Sequence, residues 1–590
     1  MNEQAANAKI VTRLLFRLLP IQIILAAVSS VNGLVSSFFA SNYVGIDAMS
    51  AVGLFGPINM LVTSIGTMLA GGSVILCGKY MGRNEPRRMQ NVFSLNLLLS
   101  TLIAAVFIVL YAVFGTFDLT GFLTRDETVR PIFNRYLLGQ AIGVLPLLLG
   151  MQLPAFLSME NKGKRTMAAS LVYIGVNVVL NFLFVQILRM EAFGLALASS
   201  LGMWVFCGME VQPFLTGRSH LRITMKDLRW SESGEIVKTG VPGALSYGYQ
   251  TVRGLVVNNL ILLYVGSMGL SAFAASDNLL RIFWSVPAGM LAVSRLMMSV
   301  SIGEEDRQTL TDVMRVMFGR FIPLMCAISA AIILCSVPLT RLFYRDPSEP
   351  VYMMTVWALR ILPLCMPLSI ICMHFTAYGQ ASGKHGLVHV LSLLDGAVCV
   401  VGFTALLIRG LGMNSVYIAN VLNGVVTTLV IVSYACLMKR RFPRNMDELM
   451  VIPDDFGAPA EERMDLTVRS LDEVVTIAQR VQSFCLERGI DPRRSYLAGL
   501  SMEEMAGNVV DHGFVKDSKS HTIDVRVVHK DNDVILRIKD DCVPFDPGER
   551  QQLAAGDDIT KNIGIRMVFR IARDVQYQNI LGLNVLTIRI

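Results

Sequence analysis

Long apolar runs fill the first 438 residues of the chain, and shorter amphipathic segments fill the remainder. A membrane-spanning helix needs about 20 mainly apolar residues, and about twelve such stretches can be placed. Their approximate limits are 18–40, 49–77, 91–114, 131–158, 166–188, 192–215, 239–265, 269–301, 317–337, 351–378, 386–408 and 412–437. Beyond residue 462, strand-like alternation covers 463–470, 521–530, 534–539, 574–579 and 583–590, and helical periodicity covers 471–488, 493–512 and 562–573. The pattern predicts a polytopic all-α membrane domain followed by a small α+β domain.

Charged residues separate the same two parts. Residues 1–438 contain 30 Lys and Arg with 20 Asp and Glu, whereas residues 439–590 contain 22 and 25. The first part is too apolar for a soluble protein, in which roughly a quarter of the residues are charged, and the second is too charged for lipid. A single globular enzyme and a nucleic-acid-binding protein are therefore disfavoured. The charged part divides into a linker, 439–462, and a domain, 463–590.

The connections between the predicted spans differ in charge. One set carries most of the basic residues, which are Lys79, Arg83, Arg87, Arg88, Lys162, Lys164, Arg165, Arg218, Arg222, Lys226, Arg229 and Lys238. The alternate set carries only Arg125, Arg130, Arg189, Arg341, Arg345 and Arg409. Connections rich in Lys and Arg stay in the cytoplasm, and both ends of the membrane part lie on the basic side. We therefore expect a multi-pass protein of the cell (plasma) membrane with both termini in the cytoplasm.

A repeat divides the membrane part into two halves. The segments 31–35 (VNGLV), 43–45 (YVG) and 50–51 (SA) recur, each 221 residues later, as 252–256 (VRGLV), 264–266 (YVG) and 271–272 (SA). An even number of predicted spans separates the copies, so the two halves have the same orientation in the membrane. We therefore expect two parallel six-helix repeats, 1–220 and 221–438, of the kind that secondary transporters use to alternate access.

The first half also resembles the multidrug and toxic-compound extrusion (MATE) family. The resemblance rests on VSSFFASNYVGIDAMSAVGLFGPI at 35–58 and AGGSVILCGKYMGRNEPRR at 70–88, which close in a Gly-rich helix and a basic loop. It implies two six-helix bundles that export small amphiphilic compounds across the lipid bilayer in exchange for protons or sodium ions. Ser36 and Gln250 stand where many members carry acidic residues in the first and seventh helices.

Several ionisable residues fall inside predicted spans of the second half. Such groups are costly unless they are paired or hydrated, so Arg253, Asp277, Arg281 and Asp395 are candidates for transport and substrate binding. Asp277 and Arg281 are four residues apart on one helical face and can form an ion pair. Two interpretations stay open. The charges form a basic lumen for an amphiphilic or anionic substrate, or they are a neutralising pair and arginines such as Arg295 that reach towards an interface.

The C-terminal domain carries candidate nucleotide chemistry. Glu504, Asn508 and His512 are spaced four residues apart, so a carboxylate, a carboxamide and an imidazole share one stripe of a helix. Oxygen ligands of this kind suit Mg²⁺, and a neighbouring carboxylate or imidazole can act as a base. Asp540 ends a predicted strand, and Gly564 opens a helix whose N-terminus favours phosphate.

In this order, the three segments resemble the N, G1 and G2 boxes of the GHKL (Bergerat-type) ATPases, especially the anti-sigma-factor serine kinases. The resemblance implies that the cofactor is ATP with Mg²⁺, that Asn508 holds the Mg²⁺ and that Glu504 is the catalytic base. It also implies that Asp540 accepts the adenine amino group and that Gly564 lines the phosphates. Glycines that the boxes normally carry are replaced by Cys542, Pro544 and Asn562. Binding of ATP is therefore expected more than turnover.

These observations predict a MATE-like secondary active transporter, an antiporter-type exporter, whose cytoplasmic ATP-binding domain regulates it or signals from it. The alternative is a membrane receptor whose transporter fold senses a ligand. Its tail would act as a serine kinase on an anti-anti-sigma-like cytoplasmic protein. The neutral Ser36 and Gln250 favour the receptor, and the two-half repeat favours transport. ATP-driven pumping is disfavoured because the sequence contains no Walker motif.

Overall fold

A computed structural model describes residues 12, 14–28, 35, 39, 43–44, 46–122, 127–217, 219–224, 228–341, 344, 346–514, 521–530, 533–548, 563–580 and 582–590. Up to residue 439 the described chain is almost entirely helical. From residue 463 it forms an antiparallel sheet with helices on one face.

The first half consists of long helices joined by short turns. In chain order they are α1 (Leu14–Val28), α2 (Ile46–Gly82), α3 (Pro86–Thr116), α4 (Val129–Ala141), α5 (Val144–Met159), α6 (Gly163–Asn181) and α7 (Glu191–Leu215). A bend of 47° separates α4 from α5. The π-helical turn Phe182–Ile187 extends α6.

The second half follows the same plan with more interruptions. Its helices are α8 (Ser231–Tyr264), α9 (Ser267–Phe283), α10 (Ser285–Gly303), α11 (Arg307–Val316), α12 (Ile322–Leu334), α13 (Ser336–Thr340), α14 (Pro350–Ile361), α15 (Cys365–Ser382), α16 (His385–Leu393), α17 (Cys399–Leu411) and α18 (Asn414–Lys439). The π-helical turns Met317–Phe321 and Leu394–Val398 join α11 to α12 and α16 to α17. The predicted span 269–301 is divided at Trp284 into α9 and α10.

The helix bounds themselves repeat between the halves. The first residue of α9 and the last of α10 lie 221 residues after the first and last residues of α2. The starts of α3 and α11, and those of α4 and α14, differ by the same number. Within the described ranges, nine helices are long and apolar enough to cross a membrane, or ten if α4 and α5 form one span. The count of twelve stays a prediction.

Close glycine contacts join the two halves. Four of these glycines face a backbone carbonyl of the other half, which are Gly72 and Gly82 of α2, Gly240 of α8 and Gly303 of α10. A Cβ on any of them would overlap a backbone carbonyl oxygen of the facing helix, so only glycine permits this approach. We call these contacts the glycine seam. It closes the halves against each other towards the end where α2 and α10 finish, which we call the domain-facing end.

The segment after α18 packs onto the helices. It contains a short helix, α19 (Met446–Met450), whose Asp447 forms an ion pair of 2.5 Å with Arg307 at the start of α11. Lys384 Nζ donates hydrogen bonds of 2.6 Å to the carbonyl oxygens of Met450 and Val451. The predicted linker is therefore a structured connection that fixes where the next domain begins.

The C-terminal domain is a five-stranded antiparallel sheet in the order β1-β2-β3-β5-β4. Its elements are β1 (Arg463–Val468), α20 (Leu471–Glu487), α21 (Pro492–Gly513), β2 (Ile523–Lys530), β3 (Asp533–Asp540), α22 (Ile563–Ile571), β4 (Asp574–Ile580) and β5 (Leu583–Arg589). Side chains alternate between the faces of a strand. One face packs Val525, Leu536 and Ile588 against the helices, while the other presents charged side chains to the membrane part.

Candidate functional site

A cleft of about 540 Å³ lies between α21 and the middle of the sheet. Asn508 and His512 of α21, Asp540 of β3 and Asn584 of β5 line it together with apolar side chains. Asp491 caps α21, because its carboxylate accepts hydrogen bonds from the first free backbone N–H groups of the helix. The fold thus brings three of the predicted nucleotide-site residues to one cleft with the mixed lining that small-molecule sites share.

Asp540 is the buried acceptor of this cleft. Its side chain is 5% exposed, and its Oδ1 accepts hydrogen bonds from Asn584 Nδ2 at 2.7 Å and from the backbone N–H of Cys542 at 3.0 Å. Burial raises the pKa of Asp540, and the hydrogen bond from Asn584 opposes that shift. Tyr577 donates to Asn584 Oδ1 at 2.7 Å, which orients the amide. A carboxyl group held in this way can accept a hydrogen bond from an amino group of a ring bound in the cleft.

Glu504 and Gly564 face each other between α21 and α22. A Cβ on Gly564 would overlap the Glu504 carboxylate, so a side chain at this position would require the Glu504 side chain to move. Asn508 Nδ2 donates to the backbone oxygen of Glu504 at 2.7 Å. Since the donor of the Asn508 amide is used, its carbonyl oxygen is the atom that can ligate a hard cation such as Mg²⁺.

The replaced glycines of the predicted boxes have a local explanation. Cys542 and Pro544 lie in the turn after β3, and neither adopts positive φ. The hydrogen bond from the Cys542 N–H to Asp540 closes this turn, and the Phe545 N–H donates to Tyr577 Oη at 3.1 Å. The turn therefore does not need glycine for its conformation. Asn562 lies outside the described residues.

In the membrane part, Arg253 and Asp395 lie in one polar cluster. Arg253 Nη1 donates to the backbone oxygen of Asp395 at 3.4 Å, and Asn423 Nδ2 donates to Asp395 Oδ1 at 2.8 Å. These residues come from α8, from the π-helical turn after α16 and from α18. A π-helical turn interrupts the helical hydrogen bonds and is frequent at functional sites. The structure thus joins two of the four predicted transport residues and adds Asn423.

Asp277 and Arg281 form a separate pair on α9. Arg281 Nη2 lies 2.5 Å from Asp277 Oδ2, and the two side chains are 51% (Asp277) and 62% (Arg281) exposed. The helix that carries them packs against α14, whereas Arg253 contacts the turn between α16 and α17. The two predicted groups are therefore distinct, and only the Arg253 group is partly buried within the second bundle.

Arg295 of α10 faces the first half, and its reach towards an interface stays a prediction. Its side chain lies near Gly71 of the first half, where a Cβ would be 3.7 Å from Arg295 Nη1. His374 of α15 is fully buried, with Nδ1 2.7 Å from the Ile370 carbonyl oxygen. In the described part of the chain, neither Arg295 Nε nor His374 Nε2 has a hydrogen-bond partner. Both lie near the middle of their helices.

Glu210 of α7 is a functional candidate that the sequence analysis did not single out. Its side chain is fully buried, and Thr166 Oγ1 donates to its Oε2 at 3.1 Å. Within the described ranges, its Oε1 has no hydrogen-bond partner. A buried membrane carboxylate with an unused oxygen is a candidate for binding a proton or a cation. The sequence feature that could have identified Glu210 is its position as the single acidic residue of the predicted span 192–215.

Family models match both parts of the chain. The MatE model matches residues 20–183 and 242–405, which are corresponding segments of the two halves. The model of the histidine kinase-like ATPase domain matches residues 468–590. The second match covers the cleft between α21 and the sheet with all of its lining residues.

Relatives and solved structures agree with the first match. The multidrug export protein MepA of Staphylococcus haemolyticus is 20% identical over 417 residues, which cover 70% of this chain and 89% of that protein. The probable multidrug resistance protein NorM of Bacillus licheniformis is 24% identical over 191 residues, covering 31% and 41%. An outward-facing multidrug resistance MATE family transporter of the MOP superfamily aligns with TM-score 0.67 at 21% identity, covering 71% of this chain and 94% of its own.

A further solved structure shares the fold at similar distance. It is a MOP superfamily transporter from Pyrococcus furiosus, reported with a reverse polarity of its binding pocket that suggests a different function. It aligns with TM-score 0.64 at 20% identity, covering 72% of this chain and 96% of its own. At these identities the likeness concerns the fold.

Proposed function

Because the chain belongs to the MatE family, we propose that its membrane part is a secondary active transporter and that its C-terminal domain binds ATP with Mg²⁺ and regulates transport. The glycine seam carries the transport function. Alternating access requires two related halves that close against each other at one end in one state and separate there in another. Four positions at which only glycine fits make this closure specific.

The domain-facing end lies on the cytoplasmic side of the plasma membrane in this proposal, with both termini in the cytoplasm. The turns at this end include the basic residues between α2 and α3 and between α5 and α6. The closed seam then corresponds to a state that is closed to the cytoplasm. A lipid bilayer surrounds the helices, whose outer surfaces carry many exposed Leu, Val and Ile side chains.

The substrate in this proposal is a small amphiphilic molecule that is exported in exchange for protons or sodium ions. The names of the relatives MepA and NorM refer to multidrug export and resistance. The cluster of Arg253, Asp395 and Asn423 is the candidate binding site, with the Asp277–Arg281 pair as a second contact. The guanidinium of Arg253 favours amphiphiles that carry negative charge, and the Pyrococcus furiosus transporter is a fold relative with an altered pocket polarity.

ATP binds in the cleft between α21 and the sheet. Asp540 would accept from the adenine amino group, Asn508 would ligate the Mg²⁺, and the phosphates would pass Gly564 after the Glu504 carboxylate moves aside. His512 lines the same cleft. Mg²⁺ held by Asn508 would supply positive charge that neutralises the phosphates. Glu504 lies one helical turn before Asn508, so its carboxylate can act as a base beside the metal.

Flux in proteoliposomes that contain the full chain tests this proposal. Ethidium and fluorescein serve as a cationic and an anionic probe, under imposed proton or sodium gradients, with and without Mg-ATP. We expect gradient-driven flux that Mg-ATP alters, with fluorescein preferred. Absence of flux for both probes, together with ATP-dependent phosphorylation of a cytoplasmic protein, would instead support the receptor with a serine kinase tail.

A further inference from the structure

Charged groups hold the C-terminal sheet to the membrane part. The turn between α10 and α11 carries Glu304, Glu305 and Asp306, which we call the acidic turn. Four basic side chains on the open face of the sheet surround it, namely Arg526, Lys530, Arg537 and Lys539. We call these contacts together the dock.

Two of the three acids of the dock, Glu304 and Asp306, are buried in their ion pairs, whereas Glu305 is 51% exposed. Glu304 is 3% exposed and lies 2.7 Å from Lys539 Nζ and 3.6 Å from Arg537 Nη1. Asp306 is 1% exposed and pairs with Arg526, which also contacts Asp465 of β1 at 2.6 Å. Although burial opposes ionisation, the charges of Arg526 and Lys539 hold the pKa of Asp306 well below its usual range. Removing one partner of such a pair leaves an uncompensated charge and is strongly destabilising.

The sheet contacts both halves of the membrane part. In the first half, Asn84 after α2 donates to the side chain of Gln576 on β4, and Asn161 after α5 lies against Gly582. In the second half, the acidic turn directly follows α10. Val585 of β5 packs in the same apolar cluster as the membrane helices. The sheet therefore bridges, through the dock and through its contacts with Asn84 and Asn161, the two helix ends that the glycine seam brings together.

One layer of strands separates the dock from the nucleotide cleft. Neighbouring residues on a strand point to opposite faces, and three such pairs divide their contacts between the two sites. Lys539 binds the acidic turn while Asp540 lines the cleft, and Gln576 binds Asn84 while Tyr577 lines the cleft. On β5, Val585 packs against the membrane part while Asn584 bonds to Asp540. A movement of the strand at one site therefore acts on the other site through the adjacent residue.

The groups that would receive the nucleotide are engaged with each other in this docked state. Asp540 is bonded to Asn584, and the Glu504 carboxylate lies against Gly564, where the phosphates would pass. A bound nucleotide must displace the Glu504 carboxylate, whereas Asp540 Oδ1 keeps its bond to Asn584 and the other oxygen receives the adenine. The strands that line the cleft, β3 and β5, also carry Lys539 into the dock and Val585 against the membrane part.

We propose that the dock is a nucleotide-controlled latch, which holds the two halves closed at the cytoplasmic side and is released when Mg-ATP binds in the cleft. This inference rests on the proposed nucleotide binding and transport. Coupling between two sites is reciprocal. If the nucleotide weakens the dock by a given factor, then weakening the dock must tighten nucleotide binding by the same factor.

The affinity of the full chain for Mg-ATP and for a non-hydrolysable analogue, Mg-AMP-PNP, tests the latch. We expect Glu304→Gln and Asp306→Asn to tighten binding by about tenfold, within the range of known coupling energies. Glu349→Gln, which removes an exposed acid at the start of α14, is the matched control. Thermal unfolding of each variant without nucleotide shows that it folds.

A cross-link provides the opposite perturbation. Asn84→Cys with Gln576→Cys joins the sheet to the first half, and each single variant controls for the native cysteines. Oxidation should weaken Mg-ATP binding by about tenfold, and reduction should restore it. Mg-ATP should also raise hydrogen exchange of residues 296–303 in the reduced form and not in the oxidised form.

Two results overturn the latch, and they are distinguishable. If the wild type binds Mg-ATP but every dock variant and the cross-linked form bind it within twofold of wild type, the dock is only structural and the proposed function stands. If the wild type binds no nucleotide, the nucleotide part of the proposed function fails and the latch fails with it.

Discussion

Asp540→Asn is the sharpest test of the nucleotide cleft. The substitution keeps the shape of the side chain, and the new Oδ1 can still accept from Asn584 and from the Cys542 N–H. The second atom of the group changes from an acceptor to an NH₂ donor, which would then meet the adenine amino group, also a donor. A hydrogen bond to a charged group contributes about 1.5–3 kcal/mol, so we expect Mg-ATP affinity to fall by roughly 10- to 150-fold.

The same substitution should not unfold the domain. The Asp540 carboxyl is buried and its pKa is raised, so a neutral amide removes a cost of ionisation at neutral pH. Calorimetric titration of the full chain with Mg-ATP measures the affinity, and thermal unfolding without nucleotide measures the stability. Asp533→Asn, at the other end of β3, is the control. Affinity within twofold of wild type in a folded Asp540→Asn protein would show that Asp540 does not contact adenine.

Three further predictions concern single carboxylates. Glu504→Ala should keep Mg-ATP binding, because this group is a base and not a ligand. The same variant should lower any phosphoryl transfer by about 10²- to 10⁴-fold. Retained transfer in a radiolabel assay would contradict this role. Glu210→Gln should reduce flux driven by an imposed proton gradient by at least about tenfold, because the buried carboxyl of α7 could no longer exchange a proton. Flux that still follows the gradient would exclude Glu210 as the proton-exchanging group. Burial raises the pKa of Asp524 in β2 to about 7. Between about pH 4 and about pH 7 this carboxyl is therefore ionised in the unfolded chain and neutral in the folded protein. The folded protein loses stability as the pH rises through this range. Asp524→Asn should therefore raise the unfolding temperature at pH 8 by at least about 2 °C and leave it unchanged near pH 4, and equal shifts at both pH values would refute the titration.

Local patterns in the sequence were sufficient for the elements of both parts. Apolar length and the 221-residue repeat predicted the helical halves, and the same number reappears in the starts of α3 and α11. Alternation predicted the strands of the C-terminal domain within two residues, because each strand has one face on the helical core. The stripe of Glu504, Asn508 and His512 needed only the helical period.

Contacts between distant segments were not predictable in this way. Glu304 and Lys539 are 235 residues apart, and no periodicity indicates that an acidic turn in one part meets a basic sheet face in the other. The eighth span divides at Trp284, three residues before Pro287, a local signal that apolar length alone does not include. One interpretation of the charges has Arg295 reaching towards an interface, and only the packing of α10 against α2 shows that its side chain lies beside Gly71.

The glycine seam has a consequence for how readily the halves can part. The carbonyl oxygens that face the four glycines belong to helices, so the interiors of these helices satisfy their hydrogen bonds within themselves. Separation of the seam in the membrane therefore leaves few donors or acceptors without a partner, and the loss is mainly one of dispersion contacts. Separation of the dock, in contrast, exposes charges, and the polar cleft lined by Thr309, Asp465 and Asp524 gives water access to them. The seam thus parts without leaving backbone groups unpaired, whereas the dock parts where water can solvate its charges.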